Sequence, residues 1–202
     1  WWKVGEPDLI PYVTSILTAT PEAVIFATGG GSMVNVMKPI KATGMNEKVA
    51  IYMHSATDHA VLKPQGMNAP EGVMGTIDYH FYYPDISANK RFVNDYKAAY
   101  GAVPGFPAFQ AYITAHFIAE AYKKAGSVNT EKFIDALEGL QIQSPVGRIE
   151  MRACDHQAIL PMNFGVTKIS PEMGFAIATD IVTLRGAEVM PSCKEIMEAR
   201  GQ

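Results

Sequence analysis

The sequence has few of the features that mark membrane, nucleic-acid-binding or disulfide-framework proteins. Its 202 residues include only two cysteines, and the net charge of −3 contains no cluster of basic residues. We therefore expect no nucleic-acid partner. No apolar run reaches the roughly 18 residues of a membrane-spanning helix, and the opening lacks the pattern of a signal peptide. With 48% hydrophobic and 18% charged residues, the composition is that of a globular protein.

The tryptophans at the start of the chain and the two cysteines are informative residues. Trp1 and Trp2 begin the chain without an initiator methionine. Exposed tryptophans favour association, so this opening predicts a fragment of a longer protein. Cys154 and Cys193 show no metal-ligand spacing. From the residues alone, two buried thiols and one disulfide both remain open.

The first 84 residues alternate apolar strand patterns with helical patterns. The predicted strands are 22–29, 48–55 and 71–84, and the predicted helices are 8–19, 32–41 and 58–62. The first strand is a continuous apolar run, which predicts burial on both faces. Ser32 is the expected N-cap of the second helix, and Gly44 its end. This order predicts an α/β fold with a parallel sheet and covering helices.

The second half is richer in helices. The predicted helices are 87–100, 108–125, 130–140 and 191–200, and the predicted strands are 147–153, 159–168 and 180–186. Phe92, Val93, Tyr96 and Tyr100 mark the expected inner face of the first of these helices. We expect this half to pack partly on a segment that lies outside the chain.

The stretch "TGGGSM" after the first strand is the first candidate site. It has neither the spacing of a dinucleotide fingerprint nor the lysine of a nucleotide-binding loop, so we expect no phosphate there. A strand that enters a helix through small residues nevertheless exposes backbone N–H groups at the carboxyl edge of the sheet, where α/β proteins bind ligands. A tight turn without a binding role is the alternative.

The stretch "MHSATDH" after the second strand is the other candidate. His54, Ser55 and Asp58 contain the residue types of a hydrolase triad, but adjacent side chains rarely align as one. His54 and His59 have weak metal-ligand spacing, so we expect no metal and no cofactor. Contact with a small ligand is the better functional interpretation, with a solvated loop as the alternative.

Aromatic residues flank prolines in "FYYP" and "PGFPAFQAY". They are Phe81, Tyr82, Phe106, Phe109 and Tyr112. Most are expected to belong to a core, although aromatics at such element boundaries also line small-molecule clefts.

Ordered blocks across nearly the whole chain resemble a known family. These include "EGV", "F...YKAAYG..P", "A..YKKAGS.N.E....AL" and "R..DHQ". They are similar to the C-terminal half of type I periplasmic binding proteins, in the branched-chain amino-acid (leucine/isoleucine/valine) group of ABC-transporter solute receptors. The resemblance implies two α/β lobes that close on a solute and then dock on a membrane permease, without catalysis.

The resemblance also implies a division of the chain and a set of partners. Residues 1–82 would be a second-lobe ligand-binding segment, 83–168 a hinge crossing with the returning part of the first lobe, and 169–202 a tail that crosses back. The implied partners are a small solute, an ABC permease and a missing N-terminal lobe of the same protein. The implied location is periplasmic or extracellular.

The site residues carry over only in part. Gly29, Gly30 and Ser32 would form one wall of the cleft, and His54, Ser55 and Asp58 would supply polar contacts. Phe81, Tyr82 and Phe109 would form an apolar or hinge wall. Family members that bind amino acids place an acid after the second strand, and here that position falls near Ser55. A small organic acid or aromatic carboxylate therefore suits the site at least as well as an amino acid.

The oxidising compartment that the resemblance implies favours a Cys154–Cys193 disulfide. Two rival functions stay open. One is a ligand-sensing regulatory domain on the same scaffold, and the other is a hydrolase that uses His54, Ser55 and Asp58.

Overall fold

The computed structural model describes residues 1–201. The helices are α1 Ile10–Thr18, α2 Gly30–Thr43, α3 His59–Leu62, α4 Ser87–Tyr100, α5 Phe106–Ala125, α6 Thr130–Leu137, α7 Gly186–Val189 and α8 Cys193–Ala199. The strands are β1 Ala23–Phe26, β2 Ala50–Met53, β3 Met74–Ile77, β4 Gln141–Ser144, β5 Gly147–Met151, β6 Ala158–Ile159, β7 Met162–Ser170 and β8 Phe175–Leu184. Short 3-10 helices span Met45–Glu47 and Lys63–Asn68.

The chain forms two compact units. Unit 1 contains Trp1–Ile77 with Asn163–Thr183, and unit 2 contains Asp78–Met162 with the residues from Leu184 onward. The sequence placed its first boundary after residue 82 and its second after residue 168. The structure differs at both, because β3 ends at Ile77 and because β7 pairs with β3 and so joins unit 1.

Unit 1 is built on a five-stranded sheet in the order β1-β2-β3-β7-β8. Strands β1 and β2 are parallel, with Ala23 opposite Ala50 and Phe26 opposite Met53, and β3 continues parallel to β2. Strand β7 runs antiparallel to β3. The predicted α/β fold is confirmed, and the antiparallel pair was not predicted.

The prediction that the first strand is buried on both faces was wrong. In β1 only Phe26 is buried, and Ile25 is 75% exposed. Strand β1 is one of the two edge strands of the sheet, and in β2 buried Ile51 and Met53 alternate with the half-buried Tyr52. Among the described residues, one face of the sheet is therefore covered much more completely than the other.

The predicted third strand was too long. Strand β3 covers Met74–Ile77 alone, and residues 78–84 form turns and an isolated bridge between His80 and Tyr83. These residues leave the sheet because Tyr79 is buried in the core of unit 2. The hydroxyl of Tyr79 donates a hydrogen bond to Oδ1 of Asn89 at 2.9 Å.

Unit 2 packs helices α4, α5 and α6 against a three-stranded sheet, β4-β5-β6. Its core consists of Tyr79, Phe92, Phe109, Ile113, Phe117, Ile142 and Ile149. The predicted inner face of α4 is correct at Phe92 and Val93, which are buried. Tyr100 was placed wrongly, since it is 71% exposed at the last position of the helix, before the left-handed Gly101.

The end of unit 2 is fastened to the turn after β5. The predicted disulfide between Cys154 and Cys193 is present, with a Cα–Cα distance of 5.8 Å. Arg152 donates to both carboxylate oxygens of Asp155, and its Nη1 donates to the carbonyl of Pro191 at 2.6 Å. These contacts hold α8 against the β5–β6 turn.

Candidate functional site

The candidate site of unit 1 lies where β1 and β2 end. Because the two strands are parallel and in register, the loops that follow them meet at one edge of the sheet. The first loop contains Gly29, Gly30 and Ser32, and the second contains His54, Ser55 and Asp58. The structure therefore brings six of the nine predicted ligand contacts to a single edge.

The glycine loop leads directly into α2. Gly29 is the N-cap residue in an extended conformation, and Gly30 has φ +56°, in the left-handed region that favours glycine. Ser32 is not the N-cap that the sequence predicted, because the helix already begins at Gly30 and places Ser32 in its first turn. No side chain caps α2 and its first turn holds no acid, so backbone N–H groups there are directed toward the edge.

The loop after β2 is held close to β3 by Gly75. A Cβ atom on Gly75 would lie 2.9 Å from Cβ of Ala56 and 2.9 Å from the carbonyl oxygen of Met53. The N–H of Ser55 donates to the carbonyl of Thr76 at 2.9 Å. Ser55 has φ +62°, an unusual conformation for a residue with a side chain. The position of Ser55 is therefore set by its neighbours rather than by its own preference.

Asp58 is buried and caps helix α3, which is a structural role. It is 4% exposed, it is the N-cap of α3, and its Oδ1 accepts from the N–H of Ala60 at 3.1 Å. The same oxygen lies 3.5 Å from Nδ1 of His59. Because Asp58 is the only carboxylate in the two loops, this edge of unit 1 presents neutral hydrogen-bonding groups.

Thr76 adjoins His54, and Tyr52 and Phe164 continue the contacts from Thr76; the sequence did not single out any of these three residues. Nδ1 of His54 lies 3.4 Å from the hydroxyl oxygen of Thr76, and that oxygen is 2.9 Å from the hydroxyl of Tyr52. The ring of Tyr52 is stacked on that of Phe164 with centroids 6.4 Å apart. Tyr52 lies in β2 and His54 is the first residue after that strand, two positions further along the chain. This spacing is the one signal that the sequence offered.

The predicted aromatic wall belongs to unit 2. Phe81 and Tyr82 are half-buried, with ring centroids 5.0 Å apart, and Tyr82 also stacks on His80 at 5.2 Å. Phe109 is fully buried and stacks on Tyr79 with centroids 4.7 Å apart. Burial in this core also raises the pKa of Tyr79. Phe109 therefore has a core role in unit 2.

The "R..DHQ" block forms a closed polar turn in unit 2. The carboxylate of Asp155 accepts from Arg152 and from the N–H of Gln157, and Nε2 of His156 lies 2.9 Å from Glu138 Oε1. The Arg152 hydrogen bonds hold the pKa of Asp155 below its ordinary value. The side chain of Asp155 is 1% exposed, so the block stabilises the turn.

Within residues 1–201, no group of three or more histidine, cysteine, aspartate or glutamate side chains is arranged to hold a metal ion. None of the helices described is both long enough and apolar enough to cross a membrane.

A family model described as periplasmic binding protein matches residues 2–170 of the chain. The chain belongs to the periplasmic binding protein family. The family predicted from the ordered sequence blocks is thereby confirmed. Periplasmic binding proteins of this family are solute-binding proteins rather than enzymes.

Relatives and solved structures agree with this family. Leu/Ile/Val-binding protein homolog 4 of Brucella melitensis is 27% identical over 163 residues, which cover 77% of this chain and 37% of that relative. A solved amino acid ABC transporter substrate-binding protein from Pseudomonas fluorescens has a TM-score of 0.82 at 22% identity, covering 96% of this chain and 51% of its own. A solute-binding protein of an ABC transporter from Rhodopseudomonas palustris, solved in complex with 3,4-dihydroxy benzoic acid, has a TM-score of 0.77 at 24% identity, covering 90% and 50%.

The solved structures show that the fold is that of type I periplasmic binding proteins. The chain spans about half the length of these two solved periplasmic binding proteins. It spans a smaller share, 37%, of the Brucella relative.

Proposed function

We propose that the chain is part of an extracytoplasmic solute receptor of an ABC importer. In this proposal the protein binds a small organic acid without transforming it and delivers it to a membrane permease from the periplasm or the cell exterior. An N-terminal lobe of the same protein completes the receptor. The family match supports binding rather than catalysis, and the names of the solved relatives support the link to ABC transport.

The neutral edge of unit 1 is the observation that carries the proposed binding site. Gly29, Gly30, Ser32, His54 and Ser55 offer N–H, hydroxyl and imidazole groups at the ends of two adjacent parallel strands. Phe81 and Tyr82 belong to unit 2, and their contact with a solute stays a prediction of the resemblance. We leave Phe109 and Asp58 out of the site, because the first is fully buried and the second caps α3.

The same edge favours a solute without an ammonium group. An ammonium that leaves water needs a carboxylate partner to offset its desolvation. Asp58 is the only carboxylate in the two loops, and its oxygen already accepts from Ala60. Hydroxyl, carbonyl and carboxylate groups on a solute are matched by the N–H, serine and histidine groups instead. An aromatic carboxylate, the class held by the Rhodopseudomonas relative, fits this pattern better than leucine.

Calorimetric titration of the longest polypeptide that the gene encodes, with 3,4-dihydroxybenzoate and with leucine, tests the proposal. We expect saturable binding of the aromatic acid, and binding of leucine at least ten-fold weaker. Ser55→Ala should weaken the aromatic acid about five-fold, since one hydrogen bond contributes about 1 kcal/mol. Ser15→Ala, on exposed α1, is the matched control and should leave binding unchanged.

Tighter binding of leucine than of the aromatic acid would contradict the proposed solute class. Failure of both solutes to bind, or turnover of either one, would contradict the proposed receptor function.

A further inference from the structure

Two hydroxyl groups on the sheet of unit 1 connect to the ring of His54. Tyr52 of β2 lies opposite Met74 of β3, and Thr76 is two positions further along β3. The hydroxyl oxygens of Tyr52 and Thr76 are 2.9 Å apart, and that of Thr76 is 3.4 Å from Nδ1 of His54. Tyr52 and Thr76 are half-buried, whereas His54 is exposed. These contacts therefore run from a half-buried part of the sheet to an exposed ring at its edge.

Neighbouring residues hold the Tyr52–Thr76 pair in place. The ring of Tyr52 is stacked on that of Phe164 with an interplanar angle of 4°, and Phe164 lies directly opposite Thr76 in the pairing of β3 with β7. The backbone carbonyl of Thr76 accepts from the N–H of Ser55 at 2.9 Å. Thr76 thus contacts two consecutive residues of the loop after β2, Ser55 through its backbone and His54 through its side chain.

The chemistry of the two hydroxyls indicates the order in which hydrogens are donated. A phenol, with an ordinary pKa of about 10, is a stronger acid and a better donor than an aliphatic hydroxyl. We therefore expect Tyr52 to donate to the oxygen of Thr76, and Thr76 to donate its own hydrogen to Nδ1 of His54. The opposite arrangement, with a hydrogen on Nδ1, would leave the hydroxyl hydrogen of half-buried Thr76 without an acceptor within residues 1–201.

The hydrogen bond that one ring nitrogen makes determines which tautomer a neutral imidazole adopts. With Nδ1 of His54 accepting from Thr76, the hydrogen of the neutral ring lies on Nε2, and Nε2 is the nitrogen left for a solute. The 3.4 Å contact is longer than an ordinary hydrogen bond. We therefore expect a preference for the Nε2–H tautomer rather than complete exclusion of the other.

We propose that the Tyr52–Thr76 pair selects the Nε2–H tautomer of His54, so that His54 donates a hydrogen bond to an oxygen atom of the solute. Tyr52 and Thr76 are then positioning residues that act on the solute through His54. This inference rests on the proposed function, in which His54 contacts the solute. It also specifies the matching solute group, because an Nε2–H donor is matched by a carboxylate, carbonyl or phenol oxygen and not by an ammonium group.

Nitrogen-15 NMR of the imidazole rings measures the tautomer of His54 directly. The sample is the longest polypeptide that the gene encodes, labelled on histidine and free of solute, at about pH 8, where an ordinary imidazole is neutral. The signals that disappear in His54→Gln identify His54. We expect mainly Nε2–H in the wild type, and at least a two-fold larger Nδ1–H fraction in Thr76→Val and in Tyr52→Phe.

Two further variants separate the hydroxyl effect from a change in packing. Thr76→Ser keeps the hydroxyl and should keep the wild-type tautomer ratio. Tyr12→Phe removes the hydroxyl of another half-buried tyrosine of unit 1, on α1, and is the matched control for Tyr52→Phe. Circular dichroism checks that every variant keeps the helix content of the wild type.

Calorimetric titration of the same samples with 3,4-dihydroxybenzoate tests the effect on the solute. Thr76→Val and Tyr52→Phe should weaken binding about three-fold, which is less than the loss of one direct hydrogen bond, because the His54 side chain is still present. Thr76→Ser and Tyr12→Phe should bind the solute as the wild type does.

A tautomer ratio that stays unchanged in both Thr76→Val and Tyr52→Phe would overturn the inference, as would a wild-type ring that carries its hydrogen on Nδ1. A changed ratio with unchanged solute affinity in both variants would also overturn it, because His54 would then not donate to the solute. In each of these cases, solute binding by the wild type would leave the proposed function standing. A wild type that binds no solute would instead reject the proposed function, whatever the tautomer ratio.

Discussion

Two short polar stretches, residues 54–58 of unit 1 and residues 152–157 of unit 2, share two residue types and differ in the contacts that those residues make. Both contain an aspartate and a histidine. In the unit 2 turn, Asp155 pairs with Arg152 and His156 lies beside Glu138. In the unit 1 loop, Asp58 caps a helix, whereas His54 is exposed and Ser55 is half-buried.

The comparison shows that residue type alone does not identify a binding residue. The unit 2 turn satisfies its charges internally and joins α8 through Cys193 and Pro191. The unit 1 loop keeps neutral groups at a sheet edge, where a left-handed Ser55 is held by Gly75 and Thr76. Charged side chains that pair with each other indicate a structural role, and neutral polar groups that are held at a sheet edge indicate a candidate site.

Loss of the disulfide should have the largest effect on unit 2. Cys193→Ser opens a loop with a sequence separation of 39 residues, for which chain entropy predicts a loss of about 4 kcal/mol in the free energy of unfolding. Urea denaturation of the oxidised wild type and the variant measures this loss. Met197→Ala on the same helix is the control. Equal midpoints for wild type and Cys193→Ser would show that the turn does not depend on the bond.

A side chain at position 75 should destabilise the unit 1 loop more than any other change considered for that loop. Gly75→Ala adds a Cβ within 2.9 Å of Ala56 and the Met53 carbonyl, so we expect a loss of about 3 kcal/mol in the free energy of unfolding. Urea denaturation is again the measurement. Gly31→Ala is the control, because nothing lies within 4 Å of a Cβ at Gly31. An unchanged midpoint for Gly75→Ala would mean that the loop is not held by close packing.

The ion pair in the unit 2 turn should have a smaller, pH-dependent effect on Tm. Arg152 lowers the pKa of Asp155 in the folded protein. The resulting stabilisation is present above the unfolded-state pKa of about 4 and is lost as the pH falls through the lower folded value. Asp155→Asn should therefore lower Tm at pH 7, and the difference from wild type should shrink steadily below about pH 4.

Asp135→Asn, on exposed α6, is the matched control for that experiment and should leave Tm unchanged throughout. A Tm difference for Asp155→Asn that grows toward acid pH would contradict the proposed role of the Arg152 pair.

The smallest expected effect concerns a hydroxyl inside the unit 1 loop. Thr57 is 1% exposed, and within residues 1–201 its hydroxyl oxygen has no hydrogen-bond partner. Thr57→Val keeps the shape and removes the buried polar group, so stability should rise by about 1 kcal/mol. Thr14→Val, on the exposed side of α1, is the control in urea denaturation. A loss of stability for Thr57→Val would show that this hydroxyl has a partner in solution.

Features set by neighbouring residues were predictable from the sequence. Helix α4 has the predicted bounds Ser87–Tyr100, and α6 begins at the predicted residue, Thr130. Features set by distant partners were not. Strand β4 is short and polar, and it forms because Gln141 pairs with Glu150.

In the candidate site, too, features set by neighbouring residues were predictable and features set by distant partners were not. The two loops were predictable because each directly follows an apolar strand. The burial of Asp58 was not, because it depends on packing that local sequence does not encode. Likewise, the link between His54 and Thr76 joins residues 22 positions apart.

Hydrogen–deuterium exchange of the longest polypeptide that the gene encodes, with and without saturating 3,4-dihydroxybenzoate, tests whether the loops after β1 and β2 bind the solute. We predict that the solute slows amide exchange in residues 29–32 and 54–58, and leaves residues 152–157 unchanged. Slower exchange in the 152–157 turn without any change in the two loops would contradict it.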